Sequence, residues 1–418
     1  MTETTGLLDL DRVRKLFDLA NQVQSWNGGH LNADPYPVWQ RLREQAPVHA
    51  GTVHALSGID EDLMFHGLPY PDRPHFSAFS WEACDAAYRD PETFASSAEA
   101  VDLQDGEPGP TNSMLSMGGV QHRRYRALVQ PSFSPAKVRW WVENWIESTV
   151  HTLIDSFEAK GRAELNVELC AAIPVLTITG SFGIPVGQAL DVRESLNQPE
   201  RIMEIMEPVV ASRRMAPRDD LISVLTESEI TDEDGTAHRL TDAEIYSFCY
   251  LLLAAGSGTT WKQMGITLAA LLLQPELLDA VRDDRTLLRP AIEESVRWAP
   301  TDPMFSRWVT RDLEFFGVNL PKGSVLHICL GAANRDPREF PNPDEFLLDR
   351  DLSNHLAFGM GIHYCLGAPL ARAETKVTLN AFLDRFPGIK PGHTPAVRQT
   401  MTPLIFGFQQ LPLVLERA

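Results

Sequence analysis

The sequence has few cysteines, no long apolar run and no apolar segment at its N-terminus. Five cysteines, an odd number without a CxxC pair, argue against both a tetrathiolate zinc site and a disulfide framework. The longest apolar stretches, Leu251–Ala255 and Leu268–Leu273, are far shorter than the roughly 18–20 residues that span a bilayer. The first fifteen residues mix acidic and basic side chains, so we expect no secretory signal. These features predict a cytoplasmic protein that does not enter a membrane.

Basic residues are also scarce relative to acidic ones. The chain has 37 Lys and Arg against 56 Asp and Glu, a formal net charge of −19. Such a chain does not bind nucleic acid or an anionic membrane through its average field. Hydrophobic residues make up 44% and charged residues 22%, which is typical of globular proteins. With no repeat, linker or change in composition, we expect one domain over residues 1–418, with residues 1–32 as an N-terminal helical extension.

Hydrophobic periodicity predicts a mainly α fold with a small β portion, of the α+β class. Apolar residues recur at helical spacing from Leu10 to Val23 and from Val138 to Ala159. The segment Leu240–Gln274 is the longest helical candidate, about 50 Å at ~1.5 Å per residue, and starts with a capping box. A further helix is predicted over 290–298. Strands are predicted over 308–316 and 325–330, on either side of a Pro-Lys-Gly turn.

The segment from Ser97 to Val120 is predicted to be a long loop. It is rich in Gly, Pro, Ser and Asp, contains no Lys or Arg, and ends in the apolar Met114, Leu115 and Met117. Loops of this length inside a compact fold are usually lids or binding loops.

One cysteine stands in a glycine-rich loop, Phe358–Gly367. The loop precedes the helical pattern Ala368–Phe386, where a helix N-terminus lowers the pKa of a thiol. A thiolate presented there is either a nucleophile or a soft metal ligand, and His363 is the only local base that a nucleophile could use. A buried structural cysteine is the third interpretation. The loop's glycines, which allow positive φ, are at 359, 361 and 367.

The ten-residue pattern F-G-x-G-x-H-x-C-x-G of this loop resembles the haem-binding loop of the cytochromes P450. The resemblance extends from about residue 33 to the C-terminus. It implies a cytochrome P450 fold, in which a single large haem domain is crossed by a long central helix. The other segments that carry it are 34–37 (DPYP), 255–260 (AGSGTT), 294–297 (ESVR), 333–337 (ANRDP), 340–343 (FPNP) and 365–374 (CLGAPLARAE).

The resemblance implies that Cys365 is the catalytic axial thiolate ligand of the iron of haem b. It places Phe358, Gly359 and Gly367 around the sulfur, with Ala255 and Gly256 against the haem. The remaining cysteines, in apolar or helical contexts, are predicted to be packing residues: Cys84, Cys170, Cys249 and Cys329.

Basic residues for the haem propionates are predicted in a stretch without acids. Between Gln121 and Val142 there is no Asp or Glu, and His122 and Arg126 are spaced to share one helix face. They match the propionate pair of the family, and the resemblance adds Arg307 and His355. A solvated basic face is the alternative interpretation.

Of two further motifs, one is predicted to be structural and the other catalytic. Glu294 and Arg297 lie one helical turn apart, and the resemblance adds Arg350 as the third member of a structural network. On the central helix, the resemblance makes Thr259 and Thr260 catalytic, directing protons to dioxygen. A hydroxyl bonded to its own helix is the alternative for Thr260. Gly258 departs from the family, which has an acid there, so the proton path is unspecified.

The segments that contact substrate in the family are apolar in this chain. The loop before residue 120 contains Glu99, Asp102, Asp105 and Glu107 but no cation that would hold a carboxylate. We therefore expect a small neutral hydrophobic substrate such as a terpenoid, steroid or aromatic compound. The predicted contacts are Met114, Leu115, Met117, Leu252, Ala255, Met304, Phe305, Leu404 and Ile405.

The resemblance implies a monooxygenase that uses dioxygen to hydroxylate, epoxidise or dealkylate its substrate. No flavin or nicotinamide fingerprint follows the haem loop, so we expect electrons from a separate ferredoxin with its reductase. The basic stretch 123–139 is the expected dock. The alternatives are a haem-thiolate ligand-binding or sensor protein and a peroxide-driven peroxygenase, both of which the glycine at 258 favours.

Overall fold

Helices form most of the protein. The computed structural model describes residues 8–19, 34–58, 72–102, 114–231, 235–392, 397–401 and 405–416. The α-helices of these segments are α1 (Leu10–Leu16), α2 (Tyr36–Gln45), α3 (Val53–Leu56), α4 (Trp81–Arg89), α5 (Gly119–Val129), α6 (Pro135–Trp141), α7 (Glu147–Glu158), α8 (Ala172–Ser181), α9 (Ala189–Glu194), α10 (Pro199–Met215), α11 (Leu221–Glu227), α12 (Asp242–Gly258), α13 (Thr260–Leu272), α14 (Pro275–Asp283), α15 (Leu288–Trp298), α16 (Leu330–Ala333) and α17 (Ala368–Arg385).

The strands are short and form one five-stranded sheet and four smaller units. The larger sheet has the order β1-β2-β10-β7-β3, in which only β2 and β10 run parallel. A three-stranded sheet has the order β11-β14-β4, and β5-β6, β8-β9 and β12-β13 are two-stranded. The strands are β1 (Val48–Ala50), β2 (His75–Ala78), β3 (Phe94–Ala95), β4 (Arg162–Glu164), β5 (Glu229–Thr231), β6 (Ala237–Arg239), β7 (Phe305–Val309), β8 (Leu313–Phe315), β9 (Val318–Leu320), β10 (Val325–Ile328), β11 (Gly388–Pro391), β12 (Val397–Met401), β13 (Ile405–Gln410) and β14 (Pro412–Glu416). The predicted α+β class is confirmed.

The predicted central helix is present but divided. The capping box of Thr241 and Glu244 starts α12, and α13 ends before Pro275, as expected. The prediction of one continuous helix is wrong, because the helix breaks at Thr259 (φ −97°, ψ −48°). Glycine favours helix poorly, and the Thr259 hydroxyl donates to the carbonyl of Ala255 at 2.9 Å.

Two other predicted elements are also divided. The helical segment 138–159 contains a π-helical turn, Val142–Ile146, between α6 and α7. The predicted strand 308–316 is wrong as one element, because β7 ends at Val309 and a polar Thr-Arg-Asp segment leads into the β8-β9 hairpin. The N-terminal helix covers Leu10–Leu16, and the predicted positions 20 and 23 lie outside the described residues.

Helix α13 forms the centre of the core, because every one of its side chains is buried. It contacts α15 and α17, and through them it supports the segment that carries Cys365. Among the described residues, no single helix is both long and apolar enough to cross a membrane. Two pairs of consecutive helical segments are long and apolar enough only when each pair is taken together. They are Asn166–Ser181 with Val186–Glu194, bent by 119°, and Asp242–Leu272 with Pro275–Asp283, bent by 103°.

Candidate active site

The cysteine loop turns tightly before α17. Gly359 and Gly361 both have φ of +69°, and a Cβ on Gly361 would lie 2.8 Å from the carbonyl oxygen of Tyr88. The Cys365 amide donates to the carbonyl of Phe358 at 2.8 Å, which closes the loop. Gly367 has φ of −82°, so it does not adopt the positive φ that its residue type allows.

The sulfur of Cys365 is set against the start of α17. Cys365 is exposed, whereas the other four cysteines are buried as predicted. Burial of its surroundings raises the pKa of the thiol, although the backbone N–H groups of Gly367 and Ala368 point at the sulfur and oppose this rise. The expected depressed pKa is therefore wrong, because burial outweighs the helix terminus. Coordination to a metal ion removes the proton of such a thiol.

Four basic side chains converge beside this loop. Arg126 donates to the carbonyls of Ile362 and Tyr364 at 3.3 and 2.7 Å, which ties α5 to the loop. The ring of His122 lies 4.2 Å from the ring of His363, measured between centroids. The charge of Arg307, on β7, acts on both imidazoles. Within the described chain, none of the four forms an ion pair with a carboxylate. We call His122, Arg126, Arg307 and His363 the basic cluster.

The basic cluster repels further positive charge. Burial, together with Arg126, Arg123 and Arg307, lowers the pKa of His122 to about 4. Burial and the same kind of repulsion lower the pKa of His363 to about 2. Both nitrogens of the buried His122 ring lack a hydrogen-bond partner among the described residues. A site with partly buried guanidinium groups, neutral imidazoles and the unpaired ring nitrogens of His122 is suited to an anionic ligand.

The prediction that His355 joins this cluster is wrong. Its Nε2 lies 3.0 Å from Glu293, and its Nδ1 accepts from the amide of Ala357 at 3.3 Å. Glu293 also pairs with Arg372, and these two partners overcome burial to lower the pKa of Glu293 to about 2. His363 takes the place expected of His355. Its position two residues before Cys365 was the signal in the sequence, which we interpreted only as a base.

The structural network predicted behind the loop is confirmed. Arg297 donates to both carboxylate oxygens of Glu294 at 2.6 and 2.7 Å, and Arg350 donates to Glu294 at 3.2 Å. The side chains of Glu294 and Arg297 are fully buried. Arg297 also donates to the carbonyls of Asn334 and Pro343, so the network fixes the chain that leads to the cysteine loop.

The break between α12 and α13 places the predicted catalytic residues differently from expectation. A hydroxyl bonded to its own helix was the alternative for Thr260, but it is the Thr259 hydroxyl that donates to the carbonyl of Ala255. Thr260 itself is buried. Ala255 is exposed. A Cβ on Gly256 would lie 3.4 Å from Ile178, so this glycine faces α8 and its predicted contact with a cofactor is not supported.

The predicted substrate contacts differ in how far they are buried. Met114, Met117, Leu252 and Met304 are buried, Phe305 is partly buried, and Leu115 is exposed. Leu404 lies outside the described residues, as do Asp105 and Glu107. Ile405 starts β13, and its side chain is not among those described.

The residues present fit a haem. The basic cluster supplies cations and unpaired nitrogens for two propionates, and Cys365 supplies one thiolate for the iron. A Cβ on Gly367 would meet no described atom within 4 Å apart from its chain neighbours, so there is open space at this glycine, two residues after the cysteine. No group of three or more His, Cys, Asp or Glu suited to a metal ion occurs in the described segments.

Comparison with known proteins gives one consistent result. The family described as Cytochrome P450 matches residues 191–416. The cytochrome P450 monooxygenase PikC of Streptomyces venezuelae is 30% identical, over 92% of this chain and 92% of PikC. The solved structure of PksS, the bacillaene polyketide synthase cytochrome P450 of Bacillus subtilis 168, has a TM-score of 0.80 at 26% identity and covers 92% of this chain and 97% of PksS.

A third similar protein was solved with a bound ligand. The structure of CYP109E1 from Bacillus megaterium in complex with testosterone has a TM-score of 0.77 at 25% identity, covering 92% of this chain and 100% of CYP109E1. The fold, the cysteine loop and these relatives all indicate the same family. The chain belongs to the cytochrome P450 family, whose members are oxidoreductases that bind haem through a cysteine thiolate and act as monooxygenases.

Proposed function

We propose that this protein is a cytoplasmic, single-domain haem b monooxygenase that oxidises a small neutral hydrophobic molecule. The observation that carries the proposal is the convergence of the basic cluster on the loop of Cys365. In this arrangement Cys365 holds the iron, and His122, Arg126, Arg307 and His363 hold the propionates. When bound, the haem supplies the oxidising chemistry, and the thiolate favours cleavage of the O–O bond.

The apolar character of the predicted substrate contacts supports a neutral substrate. Met114, Leu252 and Met304 are buried thioether and aliphatic side chains, which favour a ligand without charge. CYP109E1, one of the structural relatives, binds testosterone. We therefore place steroids first in the proposed class, followed by terpenoids and aromatic compounds.

A Soret titration of the purified ferric protein tests this substrate class. The ligands are testosterone, neutral terpenoids and neutral aromatics, each paired with a carboxylate that has the same carbon skeleton. We expect a low-spin to high-spin shift with one neutral class and a weaker shift with its carboxylate. A tightly bound carboxylate that shifts the spin state while its neutral partner does not would falsify the neutral-substrate proposal.

We further propose that a ferredoxin, reduced by its reductase, supplies the electrons. Arg123 and Arg139 are exposed and Arg124 is partly buried, and none of them forms an ion pair within the described residues. Lys137, from the same predicted patch, is neutralised by Asp219 at 2.8 Å. Because Arg126 ties α5 to the cysteine loop, this docking patch lies beside the proposed iron ligand.

Stopped-flow reduction by an acidic ferredoxin tests the docking patch. We expect the bimolecular rate to fall with added salt, and to fall further in an Arg123→Gln, Arg139→Gln variant. Arg162→Gln, an exposed arginine outside the patch, is the matched control. A rate that is independent of salt, or reduced equally by the control, contradicts docking at this patch.

A peroxide-driven reaction is the second candidate. It is favoured by Gly258, which provides no carboxylate, and by the Thr259 hydroxyl, which is bound to Ala255. Turnover of the same substrate with hydrogen peroxide alone, compared with turnover with ferredoxin, reductase and dioxygen, separates the two. Product only with peroxide would favour this second candidate.

A further inference from the structure

An arginine lies beside Gly258 at the break between α12 and α13. Arg193, in the last turn of α9, places Nη1 3.2 Å from the hydroxyl of Ser257. A Cβ on Gly258 would lie 3.9 Å from the same nitrogen. The other side of the guanidinium stacks on the ring of Phe17, 4.8 Å from its centroid.

The charge of Arg193 has no carboxylate partner in the part of the chain that the structure describes. Its one hydrogen bond there is to Ser257, whose hydroxyl donates in turn to the carbonyl of Leu253. Burial lowers the pKa of Arg193 to about 10, so the side chain is still a cation at neutral pH. Arg193 is partly buried, and a guanidinium that has lost water and is paired only with a hydroxyl is best compensated by a carboxylate.

A second cation lies near Arg193 and increases the local positive charge. Lys262, on α13, is buried; burial lowers its pKa against the opposing charge of Asp302, and the charge of Arg193 lowers it further. Its only carboxylate within 4 Å among the described residues is Asp302, at 3.8 Å. Lys262 therefore has one carboxylate nearby and Arg193 has none among the described residues, which leaves an excess of one positive charge.

The position of Gly258 leaves space next to this charge. Apart from its two chain neighbours and the backbone of its own helix, the only described atom within 4 Å of a Cβ at 258 is Arg193 Nη1. We propose that the space left by Gly258 is a binding site for a carboxylate group, which pairs with Arg193 beside the helix break. The guanidinium presents planar paired N–H groups, which suit a carboxylate better than a halide.

Acetate is the probe for this site, and the holoenzyme is the material. Thermal midpoints are measured with increasing sodium acetate, with sodium chloride added to hold the ionic strength constant. We expect a rise of about 1–2 °C at a tenfold excess over Kd, which grows with the logarithm of the acetate concentration above Kd. In Arg193→Gln we expect binding at least about tenfold weaker, because a charge-assisted hydrogen bond is lost.

The variant Gly258→Asp tests the site without removing the arginine. An aspartate there brings a carboxylate within reach of Nη1, so we expect a higher midpoint without acetate and no further rise with it. Gly187→Asp, at an exposed glycine, is the matched control and should keep the acetate response. The proposal is overturned if Arg193→Gln, Gly258→Asp and wild type respond equally to acetate. It is also overturned if acetate has no effect beyond that of chloride, because the response is then one of ionic strength only.

Decanoate and methyl decanoate distinguish the source of the carboxylate. If decanoate stabilises no more than acetate and leaves the Soret band unchanged, the site takes a free small anion. If decanoate binds more tightly than its ester and shifts the Soret band, and Gly258→Asp abolishes both effects, the carboxylate belongs to an organic ligand bound near the haem, which would support this site and contradict the neutral-substrate proposal. If decanoate binds more tightly than its ester in wild type, Gly258→Asp and Arg193→Gln alike, the result contradicts a carboxylate site at this position.

Discussion

Glu374 provides a prediction of pH-dependent stability that can be worked out from the structure. It lies on α17, nine residues after Cys365, and its side chain is buried, with Oε1 lacking a partner among the described residues. Burial raises its pKa from 4.5 to about 8, against a hydrogen bond with Thr177. Because the folded protein holds this proton more tightly than the unfolded chain, the stabilisation is complete below pH 4.5. It is lost as the pH rises to about 8.

The variant Glu374→Gln removes this dependence and keeps the shape of the side chain. A pKa change from 4.5 to about 8 corresponds to at most about 5 kcal/mol, or about 5 °C in the thermal midpoint of a chain of this length. We expect variant and wild type to have equal midpoints near pH 5, and the variant to be the more stable at pH 8.

Differential scanning calorimetry of the holoprotein at several pH values, at one scan rate, measures this difference. Asp384→Asn, at an exposed position of the same helix, is the control and should follow the wild type. Parallel curves for Glu374→Gln and wild type from pH 5 to pH 8 would refute the reasoning that Glu374 is buried in its neutral form.

Three further predictions concern the cysteine loop and the helix break. Gly361→Ala should lower the thermal midpoint more than Gly58→Ala. Both glycines have positive φ, but only a Cβ at 361 would meet a carbonyl oxygen, that of Tyr88 at 2.8 Å. His363→Gln should speed transfer of haem to apomyoglobin, and His355→Gln should do so less; the reverse order would restore our first assignment of the propionate contacts. Restoring an acid with Gly258→Asp should change the product formed per electron consumed, and an unchanged ratio would show that the missing acid does not limit proton delivery.

The sequence was most informative where a local motif determines the geometry. The loop of Cys365 follows from glycines at positions where the backbone has positive φ, and the network of Glu294 and Arg297 follows from their spacing on one helix. In both cases the contacts are made by neighbours in the chain or by segments with their own signature. Motif spacing was sufficient to identify them.

The errors arose where burial or direction decides the outcome. A motif identifies His355 and His363 equally, but it does not say which imidazole faces the basic cluster and which faces Glu293. The pKa of Cys365 depends on a competition between burial and a helix terminus, which is resolved only by packing. The break at Thr259 results from a hydroxyl that competes with the backbone, an effect that hydrophobic periodicity does not register.

The central claim is that Cys365 holds the haem iron as a thiolate. The ferrous carbonyl absorption spectrum of wild type, Cys365→Ser and Cys249→Ala tests it most directly, because the position of the Soret band reports the ligand opposite carbon monoxide. We predict the red-shifted band of a thiolate ligand in wild type and in Cys249→Ala, and its loss in Cys365→Ser. A thiolate-type band that persists in Cys365→Ser, or its absence from the wild type, would contradict the account.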